Sequence, residues 1–156
     1  MKNCISNEIF VNELLDLLAE TFEKTQGIYL DRGNSLFDTL SKISAVDASR
    51  QTTFVKTTIA GQVEHIRYYF DVLSSDIQNR EIGKVDWNRS WAVQEVTTQE
   101  WENLRNQLKL DYKEFCSDIK GINRWDGEDD IGASFAILSH TAYHLGAIRQ
   151  MIQLIE

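Results

Sequence analysis

Apolar residues recur along this chain at steps of three and four in four segments, the spacing that lines one face of an α-helix. The first segment runs from about Asn7 to Thr25, with Phe10, Leu14, Leu17, Leu18 and Phe22 on one stripe, and Gly27 follows where a C-terminal glycine is expected. The second runs from about Thr58 to Gln78 and aligns Ile59, Val63, Ile66, Phe70, Leu73 and Ile77. The third starts at Thr97, which with Glu100 makes a capping box. It continues through Trp101, Leu104, Leu108, Tyr112, Phe115 and Ile119 and closes at Gly121. The fourth, from about Ile131 to the C-terminus, is apolar on most sides. Asp129 and Asp130 before it place negative charge at the positive end of the helix dipole.

The connections are unequal. A long one between the first two helices carries a short helix from Ser35 to Ile43. The second and third are joined by a loop with Trp87 and Trp91, and the third and fourth by an acidic turn with Trp125. Long loops in a compact domain cross an end of the fold or shape a site. The pattern predicts an all-α chain, one four-helix bundle with one core over residues 1–156. The order of the helices in space stays open.

Composition narrows the partners. Proline, which interrupts helix interiors, is absent. The net charge is −8, and the Lys and Arg residues are scattered singly. Nucleic acid and anionic membrane surfaces call for a basic stripe, so neither is an expected partner. The stretch from Ile131 to Ile148 has no Asp, Glu, Lys or Arg. Its two histidines and its hydroxyl groups would be costly in lipid, so it reads as a helix buried by its neighbours. Cys4 and Cys116 form no C-x-x-C pair and no signal peptide precedes them, which reads as a reduced, cytoplasmic chain. The sequon Asn88-Arg89-Ser90 carries no weight in that setting.

The chemistry concentrates in three histidines, the only ones in the chain: His65, His140 and His144. A spacing of four brings His140 and His144 onto one helix face, a turn apart. Two neutral imidazoles so placed can share a first-row metal ion. Thr141 stands where the zinc metalloproteases carry their glutamate, which disfavours a protease. His65 lies midway along the second helix at the edge of its stripe and can match the height of the pair. Three ligands leave a coordination position open, as in catalytic rather than structural sites. The plain alternative is three hydrogen-bonded core histidines. Against it stand the pair's place in the most apolar helix, where bare imidazoles are expensive, and the absence of histidine elsewhere.

Other candidates are read more plainly. Gln62 shares the face of His65 and either hydrogen-bonds a metal-bound water or an imidazole, or is a polar residue at the helix start. Tyr69, one turn past His65, reads as a core aromatic ahead of a pocket lining, and Asp111 as a solvated carboxylate ahead of one that orients a ligand imidazole. Asp126-Gly127-Glu128-Asp129-Asp130 lacks the ligand spacing of a calcium loop. Cys116 has no neighbour in sequence that would activate a thiol.

Thr58-Ile59-Ala60-Gly61-Gln62-Val63-Glu64-His65-Ile66, with His140-Thr141-Ala142-Tyr143-His144-Leu145-Gly146-Ala147-Ile148-Arg149-Gln150, resembles the DinB-like family of bacterial four-helix proteins, which includes the YfiT-type metalloenzymes. His65, His140 and His144 fall on the family's metal-binding positions. Ala147 departs from the glutamine that many members carry. The resemblance implies a long crossover between the second and third helices, a nickel or zinc ion, and a homodimer. It also implies either transfer or isomerisation using a low-molecular-weight thiol, or hydrolysis. The alternative function is a non-enzymatic bundle that dimerises or binds a partner, its metal site structural or vestigial.

Overall fold

The computed structural model describes residues 5–52, 56–78, 80–123, 125 and 128–155. Among them the chain is all-helical, without a β-strand. Six α-helices occur in order: α1 (Asn7–Phe22), α2 (Leu36–Ser41), α3 (Ala45–Ala48), α4 (Ile59–Ile77), α5 (Thr98–Gly121) and α6 (Glu128–Ile155). A 3₁₀ turn at Trp87–Trp91 lies between α4 and α5. No helix of the described residues is long and apolar enough to cross a membrane.

The four long helices arise where the apolar periodicity places them. Ser6 caps α1 by accepting from Ile9 N. Thr58 Oγ1 accepts from Gly61 N at the start of α4. Thr97 and Glu100 close the predicted capping box at α5. Helix α4 packs against both α5 and α6, and so does α1, which sets α1 diagonally across from α4. Leu14, Leu18, Ile66, Leu108, Ile119 and Ile137 meet in one buried cluster. At its centre Phe22 stacks on Tyr112, with ring centroids 4.7 Å apart, and meets Phe70 edge-on.

Several boundaries differ from the periodicity. Helix α1 ends at Phe22, and Gly27 supplies a left-handed turn (φ +88°) beyond its end rather than its cap. The cause is Glu20, a fully buried carboxylate that accepts from the backbone N–H groups of Gln26, Ile28, Tyr29 and Leu30 and folds the chain back over the helix end. Gly121 is the last helical residue of α5, and Ile122 is the cap. Helix α6 starts at Glu128, so Asp130 lies inside its first turn instead of preceding it. Residues 126 and 127 of the acidic run, and Cys4, lie outside the described residues. Nor is α6 buried on all sides: Phe135, Tyr143 and Leu154 face solvent. The short helix α3 was not legible from the pattern. It is held by Ser44 Oγ at its start, and Trp101 Nε1 donates to Ile43 O at 2.8 Å just before it.

Burial works to raise the pKa of Glu20. The N–H bonds from Leu30, Gln26, Tyr29 and Ile28 outweigh it and hold the carboxyl below its usual range. Its contribution to stability is therefore present above the ordinary carboxylate pKa and lost as the pH falls through the folded-state value. Glu20→Gln is expected to lower the melting temperature at pH 7, with the gap to the parent closing as the pH is taken down through the carboxylate range. Thermal unfolding monitored by circular dichroism across pH measures both.

Candidate metal centre

The site forms where α4 meets α6 and is walled by the segment linking α4 to α5. That segment is pinned to the start of α4. Thr58 Oγ1 donates to Gln94 O at 2.8 Å, Thr58 N donates to Gln94 Oε1, and Gln94 Nε2 donates to Trp91 O. Gly61 permits this approach, because a Cβ there would stand 2.9 Å from Val93 O. Backbone cannot yield as a flexible side chain does, so glycine at this helical position is a packing requirement. The docked segment then makes its 3₁₀ turn, which puts Ser90, fully buried, and Trp91 against His65.

All three histidines predicted from the sequence come together. Their ligand atoms lie within 4.8 Å of one another. His140 Nε2 stands 3.1 Å from His65 Nε2 and 3.1 Å from His144 Nε2. Two nitrogens each about 2.0–2.1 Å from one ion in roughly tetrahedral array stand about 3.3 Å apart, so both edges suit a shared ion. His144 is buried, and His65 and His140 are partly buried.

The outer hydrogen bonds fix where the protons sit. Ser90 Oγ donates to Trp87 O at 2.7 Å, which commits its only proton. The 2.7 Å contact of His65 Nδ1 with Ser90 Oγ therefore has the ring as donor. His144 Nδ1 meets Gln62 Oε1 at 2.5 Å, and a carbonyl oxygen only accepts, so this ring too donates from Nδ1. His65 and His144 thus each carry a lone pair on Nε2, and both lone pairs point at His140 Nε2. A single N–H on His140 cannot satisfy both well. Protonating the rings is no remedy. Burial pushes the pKa of His65 down. Burial and the charges of its two histidine neighbours bring His140 to about 3, and burial with the charge of His65 brings His144 to about 4. Three neutral imidazoles with convergent lone pairs are the donor set a divalent cation needs.

Two aromatic rings complete the walls. Trp91 lies flat on His65 with centroids 3.9 Å apart and planes 13° apart. Tyr69 lies flat on His140 at 3.6 Å and 10°, so it borders the centre and is not the plain core aromatic expected. Gln62 takes the ring-orienting one of its two readings. Ser90 and Trp91 were missed, since nothing in sequence links a loop to a histidine on an earlier helix. Asp111 is no free solvated carboxylate: it accepts from Arg67 Nε at 2.9 Å and from Gln107 Nε2 at 2.9 Å. It does not touch the histidines. Cys116 is half-buried, its thiol pushed up chiefly by burial, and it stands outside the site. A cavity of about 800 Å³ between α4 and α5, lined by Glu64, Arg67, Asp71 and Asp111 among others, contains none of the three histidines.

Outer-shell bonds of this kind are worth about 10–100-fold in metal affinity. Ser90→Ala and Gly61→Ala are each expected to weaken cobalt(II) binding by roughly that factor, the first by freeing the His65 ring and the second by displacing the segment that carries Ser90. Titration of the cobalt visible absorption in parent and variants measures the change.

No family model matches the chain, and neither the curated proteins nor the solved structures contain a significant match.

Proposed function

We propose that this protein holds one divalent metal ion, nickel or zinc, at His65, His140 and His144 and uses it on a small molecule. The observation that carries this reading is the convergence of two Nε2 lone pairs on a third imidazole, at 3.1 Å each, in surroundings that resist protonation. On the same reading the four long helices and the α4-to-α5 crossover form a four-helix bundle of the DinB-like kind. The supports are which helices pack together and the convergence of His65, His140 and His144, the positions on which the sequence resemblance rests.

A divalent ion there supplies Lewis acidity. The chain itself supplies three ligands, which leaves room for a substrate atom as catalytic sites do. Ser90 and Gln62 hold two rings in the ligating tautomer, and Trp91 and Tyr69 cover ring faces and keep water from them. Among the described residues no carboxylate, lysine or cysteine hydrogen-bonds to the three rings, and Glu64, next to His65, is turned to Arg67 at 3.0 Å. Hydrolysis ordinarily recruits a general base within reach of the attacking water. A bound water and a low-molecular-weight thiol would each be made more nucleophilic by the ion, so thiol-dependent transfer or isomerisation and hydrolysis both fit the site. The exposed positions of α6 from Gly132 to Leu154, none of them charged, favour a second reading, in which the ion is structural and the protein works by association.

Protein purified without a histidine tag is expected to contain about one equivalent of divalent metal by elemental analysis. His65→Ala, His140→Ala and His144→Ala should each abolish it. Metal-free parent protein sinks the site. Stoichiometric metal that raises the melting temperature, with no turnover of thiol-plus-electrophile pairs, favours the second reading.

A further inference from the structure

The cavity between α4 and α5 neutralises Arg67 and Arg80 within the chain, the first on Glu64 and Asp111 and the second on Asp71. A second cavity, of about 790 Å³, is built differently. It lies between the α2 region and the last turns of α6, and none of the three histidines lines it. Lys42 and Arg149 do line it, and among the described residues neither side chain has an ion pair or a hydrogen bond. Its described lining contains no Asp, no Glu and no aromatic ring. Asn34, Thr39, Gln150 and Gln153 complete the polar wall, and among the described residues their side chains have no partner either. Thr39 is only 7% exposed, a depth at which a hydroxyl ordinarily has one. The two cations are not needed as helix caps. Lys42 ends α2, where a cation serves by meeting the last carbonyls. Leu40 O already accepts from Arg105 Nη1 at 3.3 Å, and Ile43 O from Trp101 Nε1 at 2.8 Å. At the end of α6, Ile155 O accepts from Arg50 Nη1 at 2.7 Å. These bonds also fix both walls of the cavity in place.

We propose that this cavity binds a small phosphomonoester with a hydroxylated body, a sugar phosphate in class. Charge selects the phosphate. Two cations without a carboxylate beside them match the roughly two negative charges of a phosphomonoester at neutral pH. The guanidinium meets phosphate oxygens with paired N–H groups, and the ammonium adds a point charge. The chain as a whole, at −8, repels anions, so a local reversal of sign is what lets one settle. Shape and wall chemistry select the body. The cavity falls within the range of about 300–1,000 Å³ typical of small-molecule sites, far more than inorganic phosphate fills. Its amides and hydroxyl both donate and accept, as sugar hydroxyls require of a partner. A nucleobase would lack a ring to stack on, which sets nucleotides aside. The inference does not rest on the metal.

Isothermal titration calorimetry of the full chain with glucose 6-phosphate, glucose, inorganic phosphate and malate tests it. Glucose 6-phosphate should bind with a dissociation constant of about 0.1–1 mM. Inorganic phosphate and malate should bind at least about 10-fold more weakly, and glucose not measurably. Lys42→Gln and Arg149→Gln should each weaken the ester at least about 10-fold. Gln150→Glu sets a carboxylate in the cavity at nearly unchanged shape and should abolish binding. All three positions are exposed or half-buried, so the fold should persist. Lys113→Gln removes the same charge from the exposed side of α5 and should leave the affinity unchanged. So should His140→Ala in the presence of a chelator. No binding of glucose 6-phosphate up to about 10 mM overturns the proposal, as does equal weakening by Lys113→Gln. Loss in His140→Ala with retention in Arg149→Gln puts the anion at the histidines and overturns it too. Inorganic phosphate or malate binding as tightly as the ester overturns the ligand class.

Discussion

The structure turns on lone pairs that cannot be left facing one another. Imidazoles tolerate a protein interior when each nitrogen has a partner, and here the Nδ1 atoms of His65 and His144 are committed to Ser90 and Gln62. Both Nε2 atoms then aim at His140, whose single N–H cannot satisfy the two of them well. Burial closes the usual exit by holding the rings neutral. The chemical consequence is a set of three imidazole nitrogens that could hold a divalent cation.

That geometry depends on a part of the chain without a helix of its own beyond one 3₁₀ turn. The link between α4 and α5 is laid on α4 at Gly61 and tied by Thr58 and Gln94, and its turn carries the serine and the indole that hold His65. Helices α4 and α6 bring the three histidines, while the link decides which tautomer His65 presents. The segment thus behaves as part of the site rather than as a tether.

Helix α6 has two different sides. Inward it carries His140 and His144 among core residues such as Ile137, Leu145 and Ile148. Outward it presents Phe135 and Tyr143 to solvent, and no exposed residue from Gly132 to Leu154 is charged. A single uncharged run in the sequence therefore covers both an inner and an outer side, and this is why its apolar character pointed only to burial. Hydropathy reports that a position avoids charge, without saying whether its own chain or another covers it.

Local sequence pattern specified the helices and singled out the three histidines that the fold brings together. Periodicity is a local property, so the stripes from Phe10 to Phe22, Ile59 to Phe70 and Trp101 to Ile119 reappear as helices with buried inner faces, and the Thr97–Glu100 box closes where its spacing puts it. Histidine pairing at a spacing of four is also local, and scarcity singled out His65 as the third member. Contacts between distant segments were decided only by tertiary structure. Glu20 gathers N–H groups six to ten residues away and overrides the stop signal at Gly27. Tyr69 is placed on His140 and Asp111 on Arg67 by helix packing. Ser90 reaches His65 across 25 positions through a turn whose path depends on a missing Cβ at Gly61. Spacing encodes which residues share a face. The packing of helices and links decides which faces meet, because that choice is set by the summed burial of many side chains and by none of them alone.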